Sequence, residues 1–266
     1  MSDILKWTVE KNKLGRVFSE LLYKHGLIKT WYKDKPSGWT LVSGLWSPFY
    51  VQLRPLSSCK DARYLLEFAG KSIWKIIQHE APHVNKLLGI AFSGIPIALA
   101  TTMVSGIPSC YTRKTDAQIS YDLQKGVYGY GEHSLVEGEI NDGDVIAVID
   151  DVVTLFDSKL KAISQLNNEI RRRQIQGIIR CNDVIVLVDR EQGAREKVLQ
   201  MNINLHSLVP LKSKGIDWLK DSMTNIEYEV IKKYLDDPYA FQEDQTRQEL
   251  IQQAESRIRP TKVDLP

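Results

Sequence analysis

A mixed α/β fold, with a parallel sheet flanked by helices, is predicted by three observations. Strands are expected at residues 87–92, 109–113, 145–150, 183–188 and 205–211, most of them the near-continuous apolar runs of strands buried on both faces. Stretches of helical periodicity lie between most of them, the alternation of a parallel sheet with crossover helices. Polar segments follow directly after Phe92, Thr112, Ile149 and Val188. Those are the carboxyl ends of the expected strands, where such sheets bind their ligands.

The elements follow in order. Residues 1–30 are expected to form one or two amphipathic helices, with Val17, Leu21, Leu22 and Leu27 as the apolar stripe and Gly26 as the stop. Alternation and aromatic content over 39–53 predict two short antiparallel strands, 39–43 and 48–53, turning at Gly44. Residues 60–79 read as a helix through Leu65, Leu66, Ile73, Ile76 and Ile77. After the strand at 87–92, Pro96 suits a first helical turn, and the helix at 97–105 closes on Gly106. Further helices are expected at 158–173 and 193–200. Beyond Gly215 the chain reads as charged helices, including a Gln- and Glu-rich one at 242–258, and 260–266 should fray. The expected organisation is one domain over 1–214, with a hood of about 1–58 and a core of about 59–214, then a helical extension over 215–266. There is no internal repeat.

Composition narrows the function. The 266 residues are 43% hydrophobic and 26% charged, the balance of a globular protein, and the net charge of +2 gives no global attraction to nucleic acid or membrane. Cys59, Cys110 and Cys181 lie far apart without a CxxC and read as thiols of a reducing compartment. The polar N-terminus lacks a secretory apolar stretch, and no apolar run approaches the ~20 residues of a membrane span. A soluble, cytoplasmic protein with small-molecule partners is expected.

The richest segment is 145–158, VIAVIDDVVTLFDS. An apolar strand ends in Asp150 and Asp151, then comes a short polar turn and a helix start. Paired carboxylates at a strand end reach a ligand's hydroxyls and its metal ion, while the turn and helix N-terminus offer N–H groups and positive dipole to a phosphate. One peptide can thus hold a sugar phosphate at both ends. This segment resembles the phosphoribosyl-pyrophosphate (PRPP) motif of the type I phosphoribosyltransferases. Four more segments are similar to those of the orotate phosphoribosyltransferase family. They are 41–54 (LVSGLWSPFYVQLR), 89–98 (GIAFSGIPIA), Tyr111 to Lys114 together with 130–138, and 187–196 (LVDREQGARE).

The resemblance implies a type I phosphoribosyltransferase fold with a small N-terminal hood over the strand ends. It implies conversion of orotate and PRPP to orotidine 5′-monophosphate and pyrophosphate with Mg²⁺, by a homodimer that shares its active sites. Arg113 and Lys114 would take the pyrophosphate charge, beside Ser93 and Gly94. Asp150 and Asp151 would hold the ribose hydroxyls, directly or through water on Mg²⁺. Thr154 to Ser158 would cradle the 5′-phosphate. Arg190 would meet the orotate carboxylate with its planar fork, and Phe49 and Tyr50 would stack on the base. Taken as bare residues, each keeps a plainer reading. The acid pair can be a strand-end turn, with Asp151 a helix cap. Arg113 and Lys114 can be solvated, Ser93-Gly94 a tight turn, Arg190 the partner of Asp189 or Glu191, and His133 solvated. Neighbouring strand residues face opposite ways, so one of Phe49 and Tyr50 belongs to the core.

The chain departs from the family pattern in three places. The phosphate turn is Thr154-Leu155-Phe156-Asp157-Ser158 rather than small and glycine-rich, so Phe156 adds bulk and Asp157 a charge that repels a phosphate. Val42 stands where the family has a lysine. Residues 115–129 carry an insertion that moves the loop lysine position onto Ala117 or Tyr128, with Lys125 as the substitute. Two functions therefore fit: an active transferase for orotate or a related base, or a phosphoribosyltransferase-like binding or regulatory module that has lost catalysis.

Overall fold

A computed structural model describes residues 2–41, 43–114 and 134–258. These divide into two compact units, one of Met1–Gly15 with Leu56–Pro210 and one of Arg16–Pro55 with Leu211–Pro266. Helix α1 (Asp3–Lys24) is a single helix that contributes to both.

The first unit holds the expected parallel sheet flanked by helices. Its strands are β5 (Lys86–Gly89), β6 (Ser109–Thr112), β7 (Val136–Glu137), β8 (Val145–Val153), β9 (Arg180–Asp189) and β10 (Asn204–Pro210). The order is β10-β9-β8-β5-β6-β7, parallel except for β7, which runs antiparallel to β6. Helices α2 (Ala62–Glu80), α3 (Gly94–Ser105), α4 (Asp157–Arg172) and α5 (Ala194–Val198) pack against the sheet. All of β5 is buried, as are 146–150 of β8 and 183–189 of β9, which is why these strands are apolar throughout rather than alternating. Strand β8 runs three residues beyond the expected end at Asp150, because Val152 and Val153 go on pairing with Val188 and Asp189. Asp150 and Asp151 therefore sit within a paired strand.

At the other end of this sheet a charged network ties α1 and α2 to β9 and β10. The imidazole of His206 lies between two carboxylates, Nδ1 at 3.0 Å from Glu80 Oε2 and Nε2 at 2.9 Å from Asp183 Oδ1. Glu80 also accepts from Trp7 Nε1 at 2.8 Å and Lys11 Nζ at 2.6 Å, and Asp183 Oδ2 meets His83 Nε2 at 2.8 Å. Burial opposes the imidazolium, but the bonds to Asp183 and Glu80 outweigh it and raise the His206 pKa. Burial likewise raises the two acids, but their donors win and hold each at about 2. A raised histidine gives stability that is complete below its unfolded pKa of about 6.5 and is lost as pH rises through the folded value. The urea midpoint should thus fall above about pH 6.5, and His206→Gln should flatten that slope. An unchanged slope in the variant would show that another group controls it.

The second unit is built from β1 (Ile28–Thr30), β2 (Trp39–Thr40), β3 (Trp46–Ser47) and β4 (Phe49–Val51) with α6 (Ile216–Trp218), α7 (Asn225–Asp236) and α8 (Asp244–Ile258). The aromatic stretch does not pair as one hairpin about Gly44. Strand β2 pairs with β3 and β4 with β1, both antiparallel. A capping box between Thr224 and Glu227 starts α7, and Glu227 Oε1 accepts from the Tyr23 hydroxyl at 3.2 Å and from Thr30 Oγ1. Trp31 Nε1 donates to the Leu250 carbonyl at 3.0 Å, and Gln242 brackets the Trp46 backbone, accepting from its N–H at 2.8 Å and donating to its carbonyl at 3.1 Å. Residues 16–55 thus share one core with the C-terminal helices.

Candidate active site

The carboxyl ends of β5, β6, β8 and β9 converge. The loop after β5 is fixed by two bonds: the Ile90 N–H donates to the Ile149 carbonyl at 3.1 Å and the Ala91 N–H to Thr112 Oγ1 at 3.0 Å. A Cβ on Gly94 would lie 2.2 Å from the Ile149 oxygen, so glycine alone lets α3 start against β8, one residue from Asp150. Ser93 precedes it, half-buried, without a side-chain cap bond to the helix. The Arg190 N–H reaches back to the Val153 carbonyl at 3.0 Å, joining the end of β9 to the end of β8.

The acid pair is not symmetric. Asp150 is buried, with Oδ2 at 2.8 Å from Lys159 Nζ and Oδ1 accepting the Asp151 N–H at 2.9 Å. Asp151 is half-buried, and its Oδ1 accepts the Val152 N–H at 2.8 Å. Burial, and then the neighbouring Asp150 charge, push the Asp151 carboxyl well above the ordinary range. Such perturbation is common where an acid is kept for a ligand.

The phosphate turn corrects two expectations. Phe156 does not fill it: the ring is buried in the core with Val153, Ala162 and Leu166. Its backbone has φ of 75°, the left-handed region in which glycine is unstrained, so the turn keeps a glycine conformation at the cost of some strain. Asp157 does not face outward uncompensated. It pairs with Lys197 on α5. Thr154 is half-buried and Ser158 exposed at the head of α4. Because the pair is exposed, Asp157→Asn should change ligand affinity by less than about threefold, whereas Lys197→Met, which strands the acid beside the turn, should weaken it more. Calorimetry on both variants tests this, and an equal effect would show that the pair is decorative.

Arg113 and Lys114 follow β6 and are exposed, Arg113 at 3.2 Å from Glu137 and Lys114 Nζ 5.5 Å from the centre of the exposed Phe92 ring. Gln165 of α4 donates to the Arg113 carbonyl at 3.0 Å. The same helix holds residues 134–138 through buried Glu169, which accepts the Leu135 N–H at 2.8 Å and bonds Arg172 and Arg173, both at 2.6 Å. Arg173 in turn donates to the carbonyls of Val136 at 2.6 Å and Gly138 at 2.7 Å. Burial raises Glu169, but its arginines and the Leu135 N–H bring it to about 2. Asp189 is buried and shifted upward, chiefly by that burial; it meets Arg195 at 2.8 Å and the Glu191 N–H at 2.8 Å.

A search of family models gives no match. The orotate phosphoribosyltransferase of Thermoplasma volcanium is 31% identical over 193 residues, covering 73% of this chain and 96% of that one. The chain belongs to the orotate phosphoribosyltransferase family. The Methanocaldococcus jannaschii enzyme of the same name is 28% identical over 172 residues, 65% of this chain and 84% of its own. Bovine uridine 5′-monophosphate synthase is 27% identical over 179 residues, 67% of this chain but only 33% of that much longer protein. Solved structures share the fold: Leishmania donovani UMP synthase at TM-score 0.65 and 21% identity, covering 83% of this chain and 42% of that one, and Aeropyrum pernix orotate phosphoribosyltransferase at 0.56 and 24%, covering 77% and 97%.

Against the family pattern, Val42, Ala117, Lys125, Tyr128 and His133 lie outside the described residues. Of the two aromatics expected at the base, Phe49 is fully buried, edge-on to Tyr234 at 5.8 Å, and so is a core residue. Tyr50 is half-buried and stacks on Trp39 with ring centres 6.0 Å apart. Arg190 is buried directly after β9. Sequence reading missed Lys159 and Glu169. Both occupy the core-facing stripe of α4 with Ala162 and Leu166, and a charge in an apolar register was the available signal.

Proposed function

We propose that the chain transfers the 5-phosphoribosyl group of PRPP to orotate, giving orotidine 5′-monophosphate and pyrophosphate. One observation carries the reading: the segments after β5, β6, β8 and β9 meet around an acid pair that is followed directly by the 154–158 turn and the start of α4. Breaking the bond to pyrophosphate leaves an oxocarbenium-like ribose, so catalysis is mainly positioning and stabilisation of departing charge. Asp151 holds the ribose hydroxyls. The 154–158 turn takes the 5′-phosphate with its N–H groups, Thr154 and Ser158. Arg113 and Lys114 receive the pyrophosphate, and Arg190 the orotate carboxylate.

The acid pair does not fit direct coordination of the Mg²⁺ that the family implies. Both Asp150 oxygens are engaged, and no group of three or more His, Cys, Asp or Glu side chains suited to a metal occurs among the described residues. Mg²⁺ is proposed as the companion of the PRPP diphosphate. A homodimer is proposed as well, supported by the apolar surface that Leu99 and Met103 leave exposed one turn apart on α3. No described helix is long and apolar enough to cross a membrane, and a cytoplasmic place is part of the proposal.

Calorimetry with PRPP and Mg²⁺, followed by orotate consumption in the same sample, tests the reaction. Binding with turnover is expected. Asp151→Asn should abolish PRPP-dependent thermal stabilisation, and stabilisation equal to the wild type would remove Asp151 from the ribose site.

A further inference from the structure

Lys159 stands in the first turn of α4, yet its side chain is only 4% exposed. Its ammonium has three hydrogens and three acceptors: Asp150 Oδ2 at 2.8 Å, the Val152 carbonyl at 2.5 Å and Ser158 Oγ at 3.2 Å. No donor is left for a ligand. Asp150 is equally occupied, by Lys159 on Oδ2 and by the Asp151 N–H on Oδ1. Asp151 gives Oδ1 to the Val152 N–H and shares a side-chain hydrogen bond with Asp150.

Two adjacent carboxylates facing a phosphorylated ligand would ordinarily need a cation between them and the ligand. Here the chain supplies that charge from below. The pair with its lysine presents at most one net negative charge. A divalent ion approaching Asp150 would meet a carboxylate already in use with an ammonium behind it. We propose that Lys159 is a positioning residue that replaces the divalent cation at the ribose end of the site, so that a ribose phosphate binds through Asp151 and the 154–158 turn without a metal held by the acid pair. The inference rests on reading the acid pair as the ribose site; it leaves Mg²⁺ on the diphosphate of PRPP untouched.

Ribose 5-phosphate carries the hydroxyls and the phosphate but no diphosphate, so it isolates this end. Calorimetry on the full chain should give the same affinity in EDTA and in excess Mg²⁺, within about twofold. In Lys159→Met, affinity in EDTA should drop by about tenfold and return with Mg²⁺. A purely structural lysine would weaken both conditions alike, which would overturn the proposal. Mn²⁺ titrated into ligand-free protein, followed by water-proton relaxation, should find no site at the pair in the wild type and a new one in the variant. A wild-type gain of about tenfold with Mg²⁺, or a Mn²⁺ site that Asp150→Asn removes, overturns the proposal while the transferase reading stands. Binding of PRPP but not of ribose 5-phosphate overturns it too. If neither ligand binds under any condition, both readings fall. Should Lys159→Met not fold, the wild-type titrations decide alone.

Discussion

Glu169→Ala is expected to lower the thermal unfolding midpoint by roughly 6–12 °C, corresponding to about 3 kcal/mol. The carboxylate is fully buried and gathers two guanidiniums, a backbone N–H and the Ser134 hydroxyl. Removing it leaves those donors facing one another, and the loss of a buried partner costs more than the pair itself contributes. Arg172 and Arg173 remain a quarter exposed, so water recovers part of the loss and keeps the effect below the extreme of the range. Glu169→Gln keeps the shape and two acceptor lone pairs and should lose about half as much. Because residues 134–138 hang from this point, turnover should fall further than stability explains, with Arg113 and Lys114 no longer set by a common support. Differential scanning calorimetry and initial rates on the two variants decide it. A midpoint within a degree or two of the wild type would mean that the clamp is dispensable.

Gly94→Ala should destabilise by about 3 kcal/mol and abolish detectable PRPP binding. The new methyl would sit 2.2 Å from the Ile149 oxygen and 3.3 Å from the Asp150 Cα, so backbone, not a yielding side chain, stands in its way. Either α3 retreats from β8 or the strand bends where it carries the acid pair. Ser93→Ala, next door and without a cap bond, should fold like the wild type. A urea titration of both proteins separates the outcomes, and normal stability of Gly94→Ala would show that the helix start tolerates displacement.

The parallel sheet was legible because its strands are buried on both faces and therefore apolar in unbroken runs, as in β8 and β9. The site's outline was legible for the same reason: polar motifs had to fall at those strand ends. What escaped depended on partners distant in sequence. Nothing local to 39–53 says that β2 pairs with β3 while β4 crosses to β1, since two- and three-residue strands take whatever partner the surrounding core presents. Phe156 looked like an obstruction because sequence does not say which way a side chain leaves a left-handed turn. Asp157 looked like a misplaced charge because Lys197 lies forty residues on. Lys159 was not singled out, although its register on α4 is that of the core.

The shared core of residues 16–55 and the C-terminal helices bears on what can be cut away. Relatives of this family align with only about three quarters of the chain, which invites trimming it, for instance after β10. Such a truncation would uncover Phe49 where Tyr234 now covers it, strip the Leu250 carbonyl from Trp31 and leave Thr30 without Glu227. The shortened protein would carry a raw aromatic surface into water and aggregate rather than serve as a minimal transferase. Alignment length and the smallest excisable piece are different boundaries in this molecule.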